Sequence, residues 1–344
     1  MNAPGRPTLA DVATRAGVSL KTASRALNGE YGVAEGTARK VLDASRELGF
    51  RPNGLARSLA GGGPSAAVGL VLPNVSDPFV AAVVGAVEDV LAPRELQLIT
   101  ASHGDDGERQ RKIIRMLVER RVDALVVLPA PGDCGYLRRE IDHGLVVVAL
   151  DRPLAGVDVD RVTVDNLDGS RQAVARLLAA GHRRVAVLGT DGRLWTLERR
   201  YAGYLQALAD AGLPEDGELV GLFTHDSAGA QRAVEAMLAL PDPPTAVFAA
   251  QHMAGRGAMR AIRQAGAALD LAVFDEMVDT DLLVTLPVVV AASGPDRLGA
   301  LAATMTLERL DGYRGAARDV VLPALLFGPG ERYVPQDHAV RVPT

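Results

Sequence analysis

The chain has 344 residues, 48% hydrophobic and 23% charged, with 4% aromatics and one cysteine, Cys134. That balance excludes wholesale disorder, and a lone thiol excludes a disulfide framework or a cysteine-based zinc site. The net charge of −5 argues, as an average, against a nucleic-acid binder.

The opening residues MNAPGRPTLADVA hold no apolar core of a secretory signal. Apolar runs such as Leu145–Leu150 and Val288–Ala292 fall far short of the roughly 20 residues that span a bilayer. A cytoplasmic protein is expected. Thr8 followed by Asp11 forms a capping-box pattern for a first helix, Leu9 to about Ala16. Gly17-Val18 predicts a tight turn, and Ser19 caps a second helix, Leu20 to Leu27, stopped by Asn28-Gly29. A third helix is expected over Glu35–Leu48, with Ala38, Val41, Leu42, Ser45 and Leu48 on one face and Gly49 at its end. Two short helices around a glycine turn make a helix-turn-helix unit, whose second helix enters the DNA major groove. On that helix Leu20, Lys21, Thr22, Ser24 and Arg25 face outward. Lys21 and Arg25, four residues apart, share a face; an arginine there reaches guanine O6 and N7 with both arms of its fork.

The charge divides with the elements. Residues 1–60 hold nine Lys/Arg against five Asp/Glu, so the remainder of the chain carries −9. Gly61-Gly62-Gly63-Pro64 reads as a linker (61–64) between a basic module and an acidic body. Beyond it, apolar strands are expected at Val68–Leu72, Leu96–Ala101, Ala124–Leu128, Leu145–Leu150, Val185–Gly189, Ala246–Ala249 and Leu271–Phe274. Helical patterns lie between them at Asp77–Leu91, Gly107–Arg120, Tyr136–His143, Asp168–Ala180, Trp195–Ala211, Ala228–Leu238 and Met253–Gln264. Continuous apolar strands alternating with helices predict parallel sheets covered on both faces, and the length of the body predicts two doubly wound parallel-sheet subdomains.

Together Asp11-Val12-Ala13, Ala16-Gly17-Val18-Ser19, Ser24-Arg25, Leu27-Asn28-Gly29, Leu48-Gly49-Phe50, Pro52-Asn53 and Ala56-Arg57-Ser58-Leu59 closely resemble the headpiece of the lac repressor (LacI/GalR) family. The resemblance continues through Gly69–Asn74, Asp77-Pro78-Phe79, Arg121–Ala124, Asp151-Arg152, Asp165-Asn166, Ala180–Arg184, Arg200–Gly203 and Phe274-Asp275. It implies an all-α headpiece over 1–60 with a hinge helix at about 53–60. It further implies a periplasmic-binding-protein-like α/β body over 65–344, with an N-subdomain at about 65–163 and 294–324 and a C-subdomain at about 164–293 and 325–344. Carried over by position, Leu20, Lys21 and Arg25 read bases, while Thr8, Ser19, Thr22, Ser24 and Asn28 hold phosphates. In the hinge, Asn53, Ala56 and Arg57 meet DNA and Leu59 wedges into the minor groove. Eight residues before three glycines are too few for a stable isolated helix, so the hinge is expected to form only on DNA beside a second hinge.

The resemblance places a small effector between the subdomains. Ligands of open α/β sheets lie outside the carboxyl ends of the strands, where Asn74, Asp77, Asp151, Arg152 and Asp275 fall, with Arg200 one turn into the helix after Val185–Gly189. Carboxylates and guanidinium forks suit a hydroxyl-rich, carboxylated or phosphorylated molecule. Phe79, Trp195 and Phe223 are candidates for flat apolar walls; Phe79 is alternatively a helix-start staple and Trp195 a packing residue. Departures from the family pattern concentrate late in the chain: Gln251-His252 for Asn-Asp, the run Gly255-Arg256-Gly257, the segment 266–275, Val289-Val290-Ala291, and the residues after Leu325-Leu326. Gln251 retains an amide for hydrogen bonding.

The expected function is a sequence-specific DNA-binding transcriptional regulator, a repressor, controlled by a sugar-like effector. The expected partners are a pseudo-palindromic operator in double-stranded DNA, the effector and a second copy in a homodimer. The alternatives are a solute-binding protein, or an effector-independent regulator with a degenerate cleft. No hydrolase elbow, HExxH, Walker loop or Rossmann glycine fingerprint is present, so neither an enzyme nor a cofactor is expected.

Overall fold

The capping box forms as its spacing predicts. Thr8 Oγ1 accepts from the Asp11 amide at 3.3 Å and the Thr8 amide donates to Asp11 Oδ2 at 2.7 Å, opening α1 (Leu9–Ala16). Gly17 supplies the left-handed turn, at φ +67°. Ser19 Oγ then accepts from the Thr22 amide at 3.1 Å to start α2 (Leu20–Leu27). Helix α3 (Glu35–Leu48) closes a small core of Val12, Ala13, Ala23, Ala26, Val41 and Ala44. Leu42, grouped with Val41 and Ser45 on one face, is 42% exposed, and Ala44 joins Val41 in the core. Ala44 lies three residues from Val41 and so falls on the inner stripe; Leu42 is turned off it.

The structure is a computed structural model that describes residues 7–27, 30–50, 66–189, 194–221, 226–275 and 288–328. The expected hinge, with Asn53, Ala56, Arg57 and Leu59, lies outside the described residues, as do Asn28 and Phe223. Two compact units divide the chain, Met1–Ser65 and Ala66–Thr344.

In the second unit the first sheet contains β1 (Ala67–Leu72), β2 (Gln97–Ser102), β3 (Ala124–Val127), β4 (Val146–Leu150), β5 (Asp160–Val164) and β11 (Asp319–Leu322). Its order is β11-β5-β4-β3-β1-β2, parallel throughout. The second sheet contains β6 (Val185–Leu188), β7 (Val220–Gly221), β8 (Ala246–Ala249), β9 (Asp270–Phe274), β10 (Val288–Ala292) and β12 (Leu325–Phe327). Its order is β12-β10-β9-β8-β6-β7, with β12 antiparallel to β10 and the other pairs parallel.

Helices α4 (Pro78–Leu91) and α11 (Pro295–Leu310) pack together on one face of the first sheet, and α5 (Gly107–Glu119) and α6 (Arg138–Asp142) cover the other. Helices α7 (Asn166–Ala179) and α8 (Trp195–Asp210) cover one face of the second sheet, and α9 (Ser227–Leu238) and α10 (His252–Ala265) the other. The chain passes between the two lobes three times: at Asp165, at Ser293-Gly294 and at Pro323-Ala324.

Several elements are absent from the sequence reading. Helix α11 buries Leu298, Leu301, Ala302, Ala303 and Met305 together with Ala300, so it has no polar stripe to reveal a helical period. Strand β5 starts on Asp160, a carboxylate that breaks the apolar run. Asp160 is wholly buried because Arg309 and Arg318 hold it at 2.6 and 2.7 Å. Burial works to raise its carboxyl, but the hydrogen bonds from Arg309 and Arg318 prevail and hold it below the usual range. The trio fastens the end of α11 to the starts of β5 and β11.

Where α7 crosses α8 the backbones approach at Gly203. A Cβ there would collide with the Leu167 carbonyl oxygen and stand 2.9 Å from the Ser170 Cβ. In an unconstrained helix, replacing glycine by alanine stabilises by roughly 0.5–1 kcal/mol. Gly203→Ala is therefore expected to show the opposite sign, a loss of about 1–3 kcal/mol from overpacking, read from the urea unfolding midpoint.

Candidate functional site

The strands of each sheet point their carboxyl ends toward one cleft of about 450 Å³. From the first lobe come Asn74 and Asp77 after β1, Phe79 in the first turn of α4, Asp105 after β2, and Asp151 and Arg152 after β4. From the second lobe come Arg200 of α8, Gln251 and His252 at the start of α10, and Asp275 after β9.

Backbone geometry marks three of these positions. Six non-glycine residues among those described have positive φ, and Asp105, Asp151 and Asp275 are three of them, at +58°, +66° and +74°. Aspartate tolerates the left-handed region better than most residues, yet such conformations still cost of order 1–3 kcal/mol and concentrate at functional sites. Each is held by its backbone N–H: Asp151 donates to the Val162 carbonyl at 2.8 Å, Asp275 to the Ala291 carbonyl at 2.9 Å and Asp105 to His103 Nδ1 at 3.0 Å.

Arg200, 4% exposed, is the most densely bonded side chain of the cleft. Its Nη1 donates to Asp275 Oδ2 at 2.7 Å and to the Ala250 carbonyl at 2.8 Å, and its Nη2 to Asp275 Oδ1 at 3.2 Å. Nε donates to Asn166 Oδ1 at 2.7 Å, and the guanidinium lies 3.8 Å from the centre of the Phe274 ring. Asn166 donates in turn to the carbonyl of Val164, the last residue of β5, so this network reaches the first crossover.

A second network holds the other wall. Arg152 Nη1 donates to Asp105 Oδ1 at 2.9 Å and to the Pro129 carbonyl at 3.1 Å; its Nε is 3.3 Å from Asp151 Oδ2. Burial pushes the Asp151 carboxyl up, against the pull of Arg152 and Arg200. Behind Asp105, buried His103 lies 2.8 Å from the Leu128 carbonyl through Nε2. Because Nδ1 accepts from Asp105, that Nε2 must carry the proton, and the ring is neutral. Asp77 caps α4 by accepting from the Phe79 amide at 2.9 Å, and its Oδ1 stands 3.8 Å from His252 Nε2 of the other lobe. Burial raises the Asp77 carboxyl; His252 opposes the rise and Asp275 adds to it.

Asn74, Phe79, Asp151, Arg152, Arg200, Gln251 and Asp275 are thus brought together, but Trp195 is not among the lining residues. It opens α8, where its neighbours Leu194 and Thr196 face the cleft instead. Phe79 lines the cleft and packs against the core; with Asp77 as the N-cap it is the second helical residue, not the residue before the cap that a staple uses. Sequence reasoning missed Asp105 and His103, which lie in no motif; the signal was only their place after a strand. Among the described residues no group of His, Cys, Asp and Glu is arranged to hold a metal, and no helix is long and apolar enough to cross a membrane.

In the first unit Leu20 is 54% exposed, Ser19 and Lys21 are exposed, and Thr22 and Ser24 are half-buried. The hydroxyls of Thr8, Ser19 and Thr22 serve as caps or cap partners. Arg25, expected to project outward, is instead folded against the following loop: Nη2 donates to the Tyr31 carbonyl at 2.5 Å and Nε is 3.3 Å from Glu30 Oε2.

The chain matches the family model "Bacterial regulatory proteins, lacI family" over residues 8–53 and "Periplasmic binding proteins and sugar binding domain of LacI family" over residues 65–328. It is 33% identical over 264 residues to the HTH-type transcriptional regulator GalS of Salmonella typhimurium, covering 77% of each chain. Among solved structures, a transcriptional regulator CelR–cellobiose complex aligns over 95% of this chain and all of its own, with TM-score 0.69 and 27% identity. The lac repressor dimer bound to operator and the anti-inducer ONPF shares the fold, with TM-score 0.75 at 23% identity over 94% of this chain and 98% of that one.

Two predictions follow from the cleft's networks. Arg200→Met leaves Asp275 buried without its partner and is expected to cost about 3–5 kcal/mol in urea unfolding; adding Asp275→Asn should recover part of the loss. Burial lowers the folded-state pKa of His103 from its ordinary 6.5. The unfolded chain therefore takes up the proton first, so this contribution is full above pH 6.5 and declines as pH falls toward the folded value. Unfolding free energies from pH 7.5 to 5.5 should fall more steeply for the native protein than for His103→Gln.

Proposed function

Since the chain belongs to the LacI family of bacterial regulatory proteins, it is a DNA-binding transcriptional regulator, and we propose that it is a repressor controlled by a small polar effector held in the body's cleft. The observation that carries this reading is the cleft itself, lined from two lobes that are joined by three crossovers. Asp151, Arg152 and Asn74 stand on one lobe, and Arg200, Gln251 and Asp275 on the other. A molecule bonded to both sets prefers one inter-lobe geometry over others, and a ligand shifts an equilibrium only through such differential contacts. Arg200 adds a route outward, because its Nε holds Asn166 at the crossover between β5 and α7. The effector class is a sugar or sugar derivative, as in the CelR–cellobiose complex.

On the DNA side, α2 is the recognition helix. Leu20, Lys21 and Arg25 read base edges, and Thr8, Ser19, Thr22 and Ser24 position the phosphates. The protein acts in the cytoplasm as a homodimer on a pseudo-palindromic operator, as helix-turn-helix readers do. Arg25 leaves Glu30 and Tyr31 to meet a guanine, so part of its contact energy offsets the bonds it gives up.

The two roles separate by mutation. Arg25→Ala is expected to weaken operator binding by about 1–3 kcal/mol and relax the base preference at one position in each half-site. Lys21→Ala should likewise weaken binding to the operator more than to a scrambled duplex, as loss of a base contact does. Fluorescence anisotropy with operator and scrambled duplexes from 50 to 200 mM salt measures both. An affinity that Arg25→Ala leaves unchanged would remove α2 from the recognition role.

A further inference from the structure

The charges of the cleft are matched within the protein. Arg152 is held by Asp105 at 2.9 Å and stands 3.3 Å from Asp151, and Arg200 is held by Asp275 at 2.7 Å. Arg256, the third guanidinium of the lining, is also engaged within the protein. Four carboxylates face these three guanidiniums: Asp77, Asp105, Asp151 and Asp275. Recognition of a phosphate or carboxylate needs a fork of donors free to close on it. Here an entering anion would have to draw Arg152 or Arg200 off its own carboxylate and leave that carboxylate buried without a counter-charge.

Two buried donors of the cleft make no hydrogen bond among the described residues: Arg152 Nε, which still faces the Asp151 carboxylate at 3.3 Å, and an amide with no charge opposite it. Gln251 Nε2 is buried and has no hydrogen-bond partner among the described residues. A buried amide donor without an acceptor is costly, and a neutral oxygen completes it. A hydroxyl does so while donating its own proton to a carboxylate oxygen such as those of Asp77 or Asp151. Each such contact leaves the charge of the cleft unchanged.

We propose that the cleft selects an uncharged, polyhydroxylated effector and rejects its phosphorylated and carboxylated counterparts, with Asp105 enforcing the choice by occupying Arg152. This rests on the reading of the cleft as the effector site. It narrows the ligand from any sugar derivative to a neutral saccharide or polyol.

The test uses the full-length protein and matched probes in isothermal titration: glucose with gluconate and glucose 6-phosphate, ribose with ribose 5-phosphate, and cellobiose with cellobionate. Binding is expected only within the neutral set, each anionic counterpart of a bound sugar being weaker by roughly 100-fold or more. Asp105→Asn frees one bond of Arg152 and should narrow that ratio by about tenfold. If that variant does not fold, as judged by circular dichroism, the matched affinities of the native protein decide alone. An anionic probe that binds as tightly as its neutral partner overturns the charge selection and leaves the effector site standing. Failure of every probe to bind counts against the cleft as a sugar site, and against the selection with it.

Discussion

A guanidinium removed from water needs partners for its donors, and Arg200 shows what that requirement organises. Its partners come from the end of β9, the residue after β8, the first residue of α7 and the ring of Phe274. Satisfying one side chain therefore fixes α8 against two strands of the second sheet and against the crossover from the first. A buried ion pair of this kind contributes little net stability, because desolvation takes back most of the Coulomb gain. What it does contribute is position. The floor of the cleft is set on this side before any ligand arrives.

The opposite wall is held by the same logic with different parts. Arg152 has Asp105 and the Pro129 carbonyl, and Asp105 has the neutral ring of His103 behind its amide. Three aspartates sit at positive φ because parallel strands end there and the chain must turn sharply into the next segment. The backbone strain is offset by inter-strand hydrogen bonds at Asp151 and Asp275. Strain and charge thus fall together at the carboxyl ends of the sheets, where doubly wound folds place their ligands. Below them one apolar cluster runs from Leu70 and Val126 in the first sheet to Phe248 and Ala272 in the second, so the two lobes share a core.

Much of this was legible in local patterns. Thr8 with Asp11, and Ser19 before Leu20, act over three residues, and the caps form where the spacing puts them. Strands such as Ala124–Val127 and Ala246–Ala249 are buried on both faces and announce themselves as unbroken apolar runs. Other features were hidden for definite reasons. Helix α11 is apolar on nearly every side and shows no period. Trp195 and Thr196 are neighbours at the start of α8, and only the packing of that helix decides which of them meets the cleft. Arg25 is solvated on any helical wheel, yet a loop six residues on folds back to hold it.

The sequence by itself determined the helix-turn-helix, the alternating strands and helices, the division of charge near residue 61 and the family. Each depends on residues near one another in the chain, or on the order of motifs along it. Only the tertiary structure decided which charges are free. Arg152 and Asp105 are 47 residues apart and Arg200 and Asp275 are 75 apart, and their pairing follows from parallel strands ending at one edge. Read along the chain, the cleft is a set of guanidiniums and carboxylates open to any polar ligand. Folded, it is a set of ion pairs and capped charges around the buried amide of Gln251, because low-dielectric burial forces opposite charges to find each other first.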